Sequence, residues 1–295
     1  MDIPDDNSHV MLQGSNDNDT LFEPEVQRVQ LVDDAHYDMR HERRGVAVIF
    51  SHKKFLHLPE RKGTDEDCAN LRRVLLELQF EVRVYKDLEK RQIKDVLDEL
   101  SEEDHKNRDC LLVAIMTHGD DDMLHAKDAS FHVDRLWENF VGNRCSSLLG
   151  KPKLFFIQAC RGDGLDAGVQ LHQPTRPSAS ATGATARELP QPAIVPGRAK
   201  SLQYAIPSMA DLLVMYSTYK GHYSWRNPVK GSWFIESLCE ELRANGNRME
   251  LLQLLTAVSR RVAFEFQSNN PAHTAQKQMP CIVSMLTKLV YFPKK

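Results

Sequence analysis

The stretch KPKLFFIQACRG, residues 151–162, constrains the fold more strongly than any other part of the chain. Its apolar run, residues 154–157, lies between Pro152 and the polar end at Gln158. A short continuous apolar run of this kind predicts a strand that is buried on both faces, as in a mostly parallel sheet. Open α/β sheets bind their ligands beyond the carboxyl ends of such strands. The sequence therefore predicts a ligand-binding edge directly after this strand.

Strand and helix patterns alternate on both sides of this run. Alternation with short connections predicts an α/β fold, in which a mostly parallel sheet carries helices on both faces. Further strands are predicted at residues 45–52, 81–86, 109–116, 211–218 and 285–292, and helices at residues 64–78, 88–103, 133–141, 232–242 and 249–266.

Two helix starts are predicted from their capping residues. Thr64 is expected at the N-cap of the first helix, with Asp67 in the capping-box position three residues later. Ser232 is expected to cap the helix that begins with Trp233. The acidic residues after Thr64 also suit the positive end of the helix dipole.

Cys160 and His118 each follow a predicted buried strand, so both are expected at the same edge of the sheet. A thiol becomes a good nucleophile when a nearby base takes its proton, and an imidazole can later return that proton to a leaving amine. Gly119 lets backbone N–H groups approach an oxyanion without side-chain obstruction. Since a cysteine at a strand end is also a common core residue, its neighbours and not the residue type alone predict nucleophilic catalysis.

The composition excludes several classes of function. The chain has 38 basic and 41 acidic residues, so no strong net field favours nucleic acid or a membrane surface. No apolar run approaches the roughly 20 residues of a membrane-spanning helix. The six cysteines include no CxxC pair, so the sequence predicts neither a zinc site nor a redox motif. We expect that the protein uses no metal and no cofactor. Free thiols of this kind are typical of a cytosolic protein.

The pentapeptide QACRG, residues 158–162, resembles the active-site signature of caspases. The resemblance extends from about Gly45 to Phe292 and implies a caspase-like (caspase–hemoglobinase) fold, a central six-stranded, mostly parallel sheet with helices on both faces. It implies a peptidase that cleaves after aspartate in programmed cell death, and the short N-terminal segment resembles the effector (executioner) members. Family-like blocks also occur in the family's order: RKGTDEDCANL, THG, YSWRNPVKGSWF and QMPCIVSMLTK.

By this resemblance Cys160 is the nucleophile, His118 is the acid/base, and the backbone N–H groups of Gly119 and Cys160 bind the oxyanion. A buried substrate carboxylate also needs charge-assisted partners, for which arginine is well suited. The loop at residues 267–276 contains no aromatic residue, so the preference at P4 stays open. The resemblance assigns Arg61, Gln158 and Arg226 to the P1 aspartate, Tyr223 and Trp225 to P2, and Asn227 and Trp233 to P4.

The resemblance also implies a precursor that is cut into two subunits. We expect an N-terminal segment at residues 1–40, a large subunit at 41–166, a linker at 167–203 and a small subunit at 204–295. Asp166 ends an Asp-x-x-Asp motif and is the expected cleavage site, with Asp163 and Glu188 as alternatives. A further cut is expected after Asp19.

The expected partners are protein substrates with Asp at P1, an upstream initiator caspase, inhibitor-of-apoptosis proteins and a second copy of the chain. The predicted last strand, residues 285–292, would form an open sheet edge that favours pairing with a second copy across a two-fold axis. After processing, this dimer would be a heterotetramer of two large and two small subunits.

Two other interpretations are open on the sequence. One is a non-catalytic relative that binds partners without cutting them, although Cys160, His118 and both pocket arginines are present. The other is a cysteine peptidase of the same broad fold with basic P1 specificity, which Arg61 and Arg226 would repel. A phosphate-binding α/β protein is excluded because no G-x-x-x-x-G-K-[ST] loop follows a predicted strand.

Overall fold

The computed structural model describes residues 35–170, 206–270 and 273–295, and Asp34–Lys295 form one compact unit. The predicted cleavage site at Asp19, the alternative at Glu188 and most of the predicted linker lie outside the described residues. The strands are β1 Arg43–Ser51, β2 Glu81–Lys86, β3 Arg108–Met116, β4 Gly119–Asp120, β5 Met123–His125, β6 Ser130–His132, β7 Lys153–Gln158, β8 Leu212–Tyr216, β9 Arg226–Asn227, β10 Gly231–Ser232, β11 Asn269–Asn270, β12 His273–Thr274 and β13 Cys281–Ser284. The α-helices are α1 Thr64–Glu77, α2 Lys90–Glu102, α3 Trp233–Asn245 and α4 Leu251–Glu265, and Val133–Leu136 and Gly142–Leu148 are 3₁₀-helical.

The main sheet has six strands in the order β13-β8-β7-β3-β1-β2. Five of them run parallel, and β13 pairs antiparallel with β8. The predicted α/β class with a mostly parallel sheet is confirmed. Strand β7, in the predicted large subunit, pairs with β8, in the predicted small subunit, so both parts contribute to one sheet.

Two hydrophobic clusters, one on each face, cover the sheet. On one face α1, α3 and α4 pack against alternate strand residues such as Ala47 and Ile49. On the other face α2 and the 3₁₀ segments pack against residues such as Val46 and Val48. Because both faces are covered, the central strands β3, β7 and β8 are buried at every position, which explains their continuous apolar runs.

The predicted last strand at residues 285–292 is wrong. The edge strand is β13, and after it the chain leaves the sheet, with Leu289 forming only an isolated bridge to His36. Val290 and Phe292 are buried, and the Phe292 ring meets Phe80 edge-on at 5.8 Å. The apolar pattern of this segment therefore reflects a tail packed on the core, which sequence periodicity does not distinguish from a strand.

Helix starts agree with the prediction at one site and differ at another. Ser232 is the N-cap of α3, and its hydroxyl accepts a hydrogen bond from the Ile235 N–H at 3.4 Å. Thr64 is not an N-cap, because Gly63 occupies that position with a φ of 86° and Thr64 is already helical. The predicted helix at residues 133–141 is reduced to the single 3₁₀ segment Val133–Leu136.

Residues 35–40, which composition had assigned to the N-terminal segment, belong to the compact unit. Tyr37 is buried, and its hydroxyl donates a hydrogen bond to Asp211 at 2.7 Å. Its backbone N–H donates to the Leu289 carbonyl at 3.0 Å. These contacts join the beginning of the described chain to the segment that carries β8.

Candidate active site

The carboxyl ends of β3 and β7 bring the two predicted catalytic side chains to one edge of the sheet. Met116 is the register partner of Gln158, and the Thr117 N–H donates to the Gln158 carbonyl at 3.0 Å. His118 and Cys160 each lie two residues beyond these register partners. The parallel register therefore places His118 and Cys160 on neighbouring segments of the same rim, as the sequence predicted.

The thiol of Cys160 is half-buried and faces the Ser224 backbone. The Ser224 N–H donates to the Cys160 sulfur at 3.5 Å. Burial raises the pKa of the thiol above its ordinary value, and the Ser224 hydrogen bond and the nearby charges of Arg61 and Arg226 oppose this rise only in part. The free protein thus holds Cys160 as a thiol at neutral pH, and a base must take its proton before it attacks.

His118 is held by groups from the loop between β1 and α1. Its Nε2–H donates to the Pro59 carbonyl at 2.9 Å, and its ring lies 4.8 Å from the ring of Phe55. A carbonyl only accepts hydrogen bonds, so this contact places the proton on Nε2 and leaves Nδ1 as the proton acceptor. Burial lowers the pKa of His118, which keeps the ring neutral near pH 7.

Among the described residues the hydrogen-bond partner of the Cys160 sulfur is Ser224 and not His118. The thiol and the imidazole are therefore two neutral groups on one rim rather than a preformed ion pair. Hydrogen bonds at active sites often tighten only when substrate binds, so this geometry is compatible with proton transfer during attack.

Gly119 lies directly against Ala159 and the backbone of Cys160. A Cβ atom at Gly119 would be 2.6 Å from the Cys160 carbonyl oxygen and 3.0 Å from the Ala159 Cβ. Any side chain here would push the two strand ends apart. The close approach of the two segments therefore requires glycine at this position.

Arg61 is almost completely buried, with 1% of its surface exposed. Its Nη1 donates to the His52 carbonyl at 3.0 Å and to the Thr64 hydroxyl at 2.9 Å. Its Nε and Nη2 have no hydrogen-bond partner among the residues that the structure describes. Burial, and then the neighbouring charge of Arg226, lower the pKa of Arg61 to about 9. A buried guanidinium edge with two free donors is suited to bind a carboxylate.

Gln158 ends β7, and its amide is only half satisfied. Its Nε2 donates to the Ser224 hydroxyl at 2.9 Å, and its Oε1 has no hydrogen-bond partner in the described part of the chain. The Ser224 hydroxyl donates its proton to the Ser217 hydroxyl at 2.9 Å. Rotating the Gln158 amide by 180° would turn its NH₂ group toward the free side, provided that Ser224 gives up this hydrogen bond and donates to the Gln158 oxygen instead. In that orientation Gln158 offers a third donor to a bound carboxylate.

Arg226 is half-buried and belongs to the hairpin formed by β9 and β10. Its Nε donates to the Lys62 carbonyl at 2.8 Å, which connects the hairpin to the loop that carries Arg61. Burial lowers the pKa of Arg226. The structure therefore brings together the three residues predicted for the P1 pocket, one from each of three segments.

Comparison with known proteins agrees with this site. The Caspase domain family matches residues 44–291. The caspase drICE of Drosophila melanogaster is 46% identical over 266 residues, which cover 88% of this chain and 73% of that protein. The chain belongs to the caspase family.

Other caspases resemble this chain to a similar extent. Caspase-3 of Mesocricetus auratus is 39% identical over 264 residues, covering 88% of this chain and 87% of that protein. The crystal structure of caspase-1 from Spodoptera frugiperda matches with a TM-score of 0.79 and 42% identity, covering 92% of this chain and all of that structure. The protein is thus an aspartate-specific cysteine endopeptidase of apoptosis, which acts on protein substrates and assembles as a dimer.

Aromatic side chains form a contiguous group next to Arg226, one of the residues predicted for the P1 pocket. Tyr223 is exposed and meets Trp225 edge-on at 5.1 Å, and Trp225 stacks on Trp233 at 5.7 Å. Trp233 also packs 5.4 Å from Phe266, which directly precedes the loop without aromatic residues. Asn227 is exposed, and its side-chain oxygen accepts hydrogen bonds from the next turn of the chain. Tyr223, Trp225 and Trp233 are thus contiguous, whereas the Asn227 amide caps its own turn.

Three contributors to the caspase site were not predicted from the sequence. They are the carbonyl of Pro59, the hydroxyl of Ser224 and the buried amide of Gln278. Gln278 donates to the Ser217 carbonyl at 2.7 Å and accepts from the Trp225 N–H at 2.6 Å. No local pattern indicates these roles, because each arises from segments that are distant in sequence.

The predicted cleavage site has a defined position. The Asp166 carbonyl accepts a hydrogen bond from the Lys277 N–H at 2.7 Å, and its carboxylate accepts one from the Gly168 N–H at 2.8 Å. Asp166 is half-buried, whereas Asp163 is exposed. The peptide bond after Asp166 therefore lies at the end of a short bridge to the segment before β13.

In the described part of the chain no group of three or more His, Cys, Asp or Glu side chains is arranged to hold a metal ion. None of the helices described is long and apolar enough to cross a membrane.

Proposed function

We propose that Cys160 is the nucleophile of this peptidase and that His118 transfers its proton. During attack the thiol proton passes to His118 Nδ1 while the sulfur bonds to the scissile carbonyl carbon. The resulting oxyanion is stabilised by the backbone N–H groups of Gly119 and Cys160. The protonated imidazole then gives its proton to the leaving amine, and water hydrolyses the thioester with His118 again acting as base. The Nε2–H contact with Pro59 supports this assignment because it leaves Nδ1 free to accept the proton.

We propose that Arg61, Gln158 and Arg226 bind the P1 aspartate. The observation that carries this proposal is the buried edge of Arg61, whose Nε and Nη2 have no hydrogen-bond partner among the described residues. Unpartnered buried donors are costly, and a substrate carboxylate would satisfy them with charge-assisted hydrogen bonds. Gln158 could donate to the carboxylate only through its NH₂ group, after its amide rotates, because its unpaired Oε1 is an acceptor.

We propose that Tyr223 and Trp225 form the apolar P2 pocket and that Trp233 and Asn227 contact P4. The edge-on contact between Tyr223 and Trp225 supports a shared apolar surface. The stack of Trp225 on Trp233 extends this surface away from the nucleophile. Phe266, next to Trp233, adds an aromatic ring just before the loop that lacks them.

One experiment separates this function from its alternatives. The activated protein is assayed with fluorogenic peptides that differ only in having Asp or Arg at P1, alongside Cys160→Ala. We expect hydrolysis of the Asp peptide alone, and none by the variant. Failure of the wild type to cleave either peptide would favour a non-catalytic relative, and cleavage after Arg would favour a peptidase with basic specificity.

We propose that the precursor is activated by a cut after Asp166, which separates a large subunit, residues 41–166, from a linker at 167–203 and a small subunit at 204–295. The backbone bridge from Asp166 to Lys277 must open first, because a peptidase binds its substrate as an extended chain. Asp163 and Glu188 are the alternatives, and a second cut after Asp19 would remove the first part of the N-terminal segment, residues 1–19. Processing of Asp166→Ala by an active upstream peptidase at the parental rate would exclude Asp166 as the main site.

We propose that the partners are an upstream initiator caspase, inhibitor-of-apoptosis proteins and a second copy of the chain, which gives a heterotetramer after processing. The edge position of β13 supports self-association, because an uncovered strand edge can pair across a two-fold axis. The six free cysteines support a reducing compartment, and we propose the cytosol.

A further inference from the structure

Asp67 is a buried carboxylate that none of the roles above explains. It lies in the first turn of α1 with 2% of its surface exposed. Its Oδ1 accepts a hydrogen bond from the Ser232 N–H at 2.8 Å, and a Cβ atom at Gly231 would collide with the same oxygen. Its Oδ2 has no hydrogen-bond partner within residues 35–170, 206–270 and 273–295. One oxygen is therefore anchored on β10, and the other is free.

The charged groups near Asp67 are the two arginines of the P1 pocket. Arg61 lies on the loop that enters α1, and Arg226 is the register partner of Ser232 in the hairpin. The Asp67 carboxylate acts against the burial that lowers the pKa of both guanidinium groups. Burial raises the pKa of Asp67 to about 6, and the two arginines oppose that rise.

Two buried guanidinium groups repel each other, as the effect of Arg226 on the pKa of Arg61 indicates. A carboxylate that shares their surroundings offsets part of this repulsion without occupying the donors that bind substrate, since Nε and Nη2 of Arg61 stay free. With Asp67 ionised, the three side chains carry a net charge of one positive unit. A single P1 carboxylate neutralises that charge.

We propose that Asp67 is the internal counter-charge of the P1 pocket, a positioning residue that acts through Arg61 and Arg226 and limits how strongly the pocket favours an acidic P1 side chain. This inference rests on the proposed P1 pocket. It requires that removing the charge, while keeping the hydrogen bond to Ser232, increases the discrimination between an acidic and a neutral P1 residue.

The test uses two reversible peptide aldehydes that differ only in having Asp or Asn at P1. Both bond to Cys160, so the ratio of their inhibition constants isolates the side-chain carboxylate. Asp67→Asn keeps the size and an acceptor for the Ser232 N–H but removes the charge, whereas Asp67→Ala removes both. The matched control is Asp65→Asn, on the same helix turn, where the carboxylate is exposed and pairs with Lys53 and Lys86.

We expect the preference for the Asp aldehyde to rise about tenfold in Asp67→Asn, the effect of removing one charge close to an ionisable partner. It should stay at the wild-type value in Asp65→Asn. Asp67→Ala should bind both aldehydes more weakly, because the hairpin loses its anchor, and should still show a raised ratio. Only folded enzyme contributes to the measured activity and its inhibition, so a misfolded fraction does not change the ratio of the two inhibition constants.

The wild type provides a second measurement that needs no variant. Among the described residues the ionisable groups that face Asp67 are Arg61, Arg226 and the thiols of Cys68 and Cys239. Burial raises the pKa of both thiols above the ordinary value, that of Cys239 to about 12. Between about pH 7.5 and 5.5 an Asp side chain at P1 stays ionised, so Asp67 is the group among these that changes charge. The ratio should rise as the pH falls through about 6, and the rise should be absent in Asp67→Asn.

The outcomes separate this inference from the function on which it rests. A wild type that both aldehydes inhibit equally would overturn the P1 assignment itself. A wild type that prefers Asp, together with an unchanged or lower ratio in Asp67→Asn, would overturn the counter-charge. If Asp67→Asn does not fold, the pH series on the wild type decides instead. A ratio of inhibition constants that does not change between pH 7.5 and 5.5 would overturn the proposed role of Asp67.

Discussion

Replacing Arg61 by lysine tests the P1 pocket most directly. The Nη1 of Arg61 is held by the His52 carbonyl and the Thr64 hydroxyl, while Nε and Nη2 form a free edge with two donors. Lysine keeps the positive charge but has a single ammonium group, which cannot bind its present partners and also offer a paired edge. Arg61→Lys should therefore lose at least one charge-assisted hydrogen bond to the substrate carboxylate.

The expected size of the effect follows from that hydrogen bond. A charge-assisted bond contributes about 1.5–3 kcal/mol, and about 1.4 kcal/mol corresponds to a factor of ten. Arg61→Lys should thus lower kcat/KM for an Asp-P1 peptide roughly 10- to 150-fold. The assay is fluorogenic hydrolysis with the concentration of active sites titrated, so that misfolded protein is not counted.

The matched control is Arg72→Lys, an exposed position on α1. It should leave kcat/KM and the melting temperature close to the parental values. If Arg61→Lys retained kcat/KM within about threefold of the wild type while Arg72→Lys was unaffected, the free edge of Arg61 would not be the carboxylate site.

Three further predictions concern the base, the oxyanion site and the sheet edge. Burial lowers the pKa of His118 below 6.5, so its ring stays neutral at pH 6.5 and kcat/KM should decline only at lower pH. A pH profile in which kcat/KM falls to half its maximum above about pH 7 would contradict this. Gly119→Ala should reduce kcat about 100-fold, because the added Cβ would lie 2.6 Å from the Cys160 carbonyl oxygen. Circular dichroism should show that the variant is folded. A loss in kcat of less than about fivefold would be too small for a residue that binds the oxyanion. Val283 is exposed on the edge strand β13, where a charged side chain would oppose pairing with a second copy. Val283→Arg should therefore sediment as a monomer. A dimer of unchanged affinity would argue against this edge as the interface.

The parts of the fold that the sequence predicted share one physical feature, which is burial on both faces of the sheet. Strands such as β3 and β7 are buried at every position, so their apolar runs can be recognised without knowledge of their neighbours. Parallel strands present their carboxyl ends at one edge, and that rule alone brings His118 and Cys160 together. Residues 285–292 have a similar apolar character but form a packed tail, because burial can be achieved without strand pairing.

Capping illustrates the same difference at the scale of single residues. Ser232 caps α3 through a contact three residues away, which local sequence encodes. Asp67 occupies the capping-box position predicted at the start of α1, but its carboxylate accepts a hydrogen bond from the Ser232 N–H, 165 residues away. A local capping pattern competes with tertiary partners, and here the hairpin that carries Arg226 provides the stronger contact.

The amino-acid sequence by itself determined the α/β class and the two strand ends beyond which Cys160 and His118 lie, because each depends on short-range apolar patterns and on the geometry of parallel strands. Only the tertiary structure decided how the His118 ring is oriented by the Pro59 carbonyl, which strand forms the sheet edge and which carboxylate lies near Arg61 and Arg226. These features depend on contacts between segments that are far apart in the chain. Such contacts form only after the core has packed, and no local pattern records them.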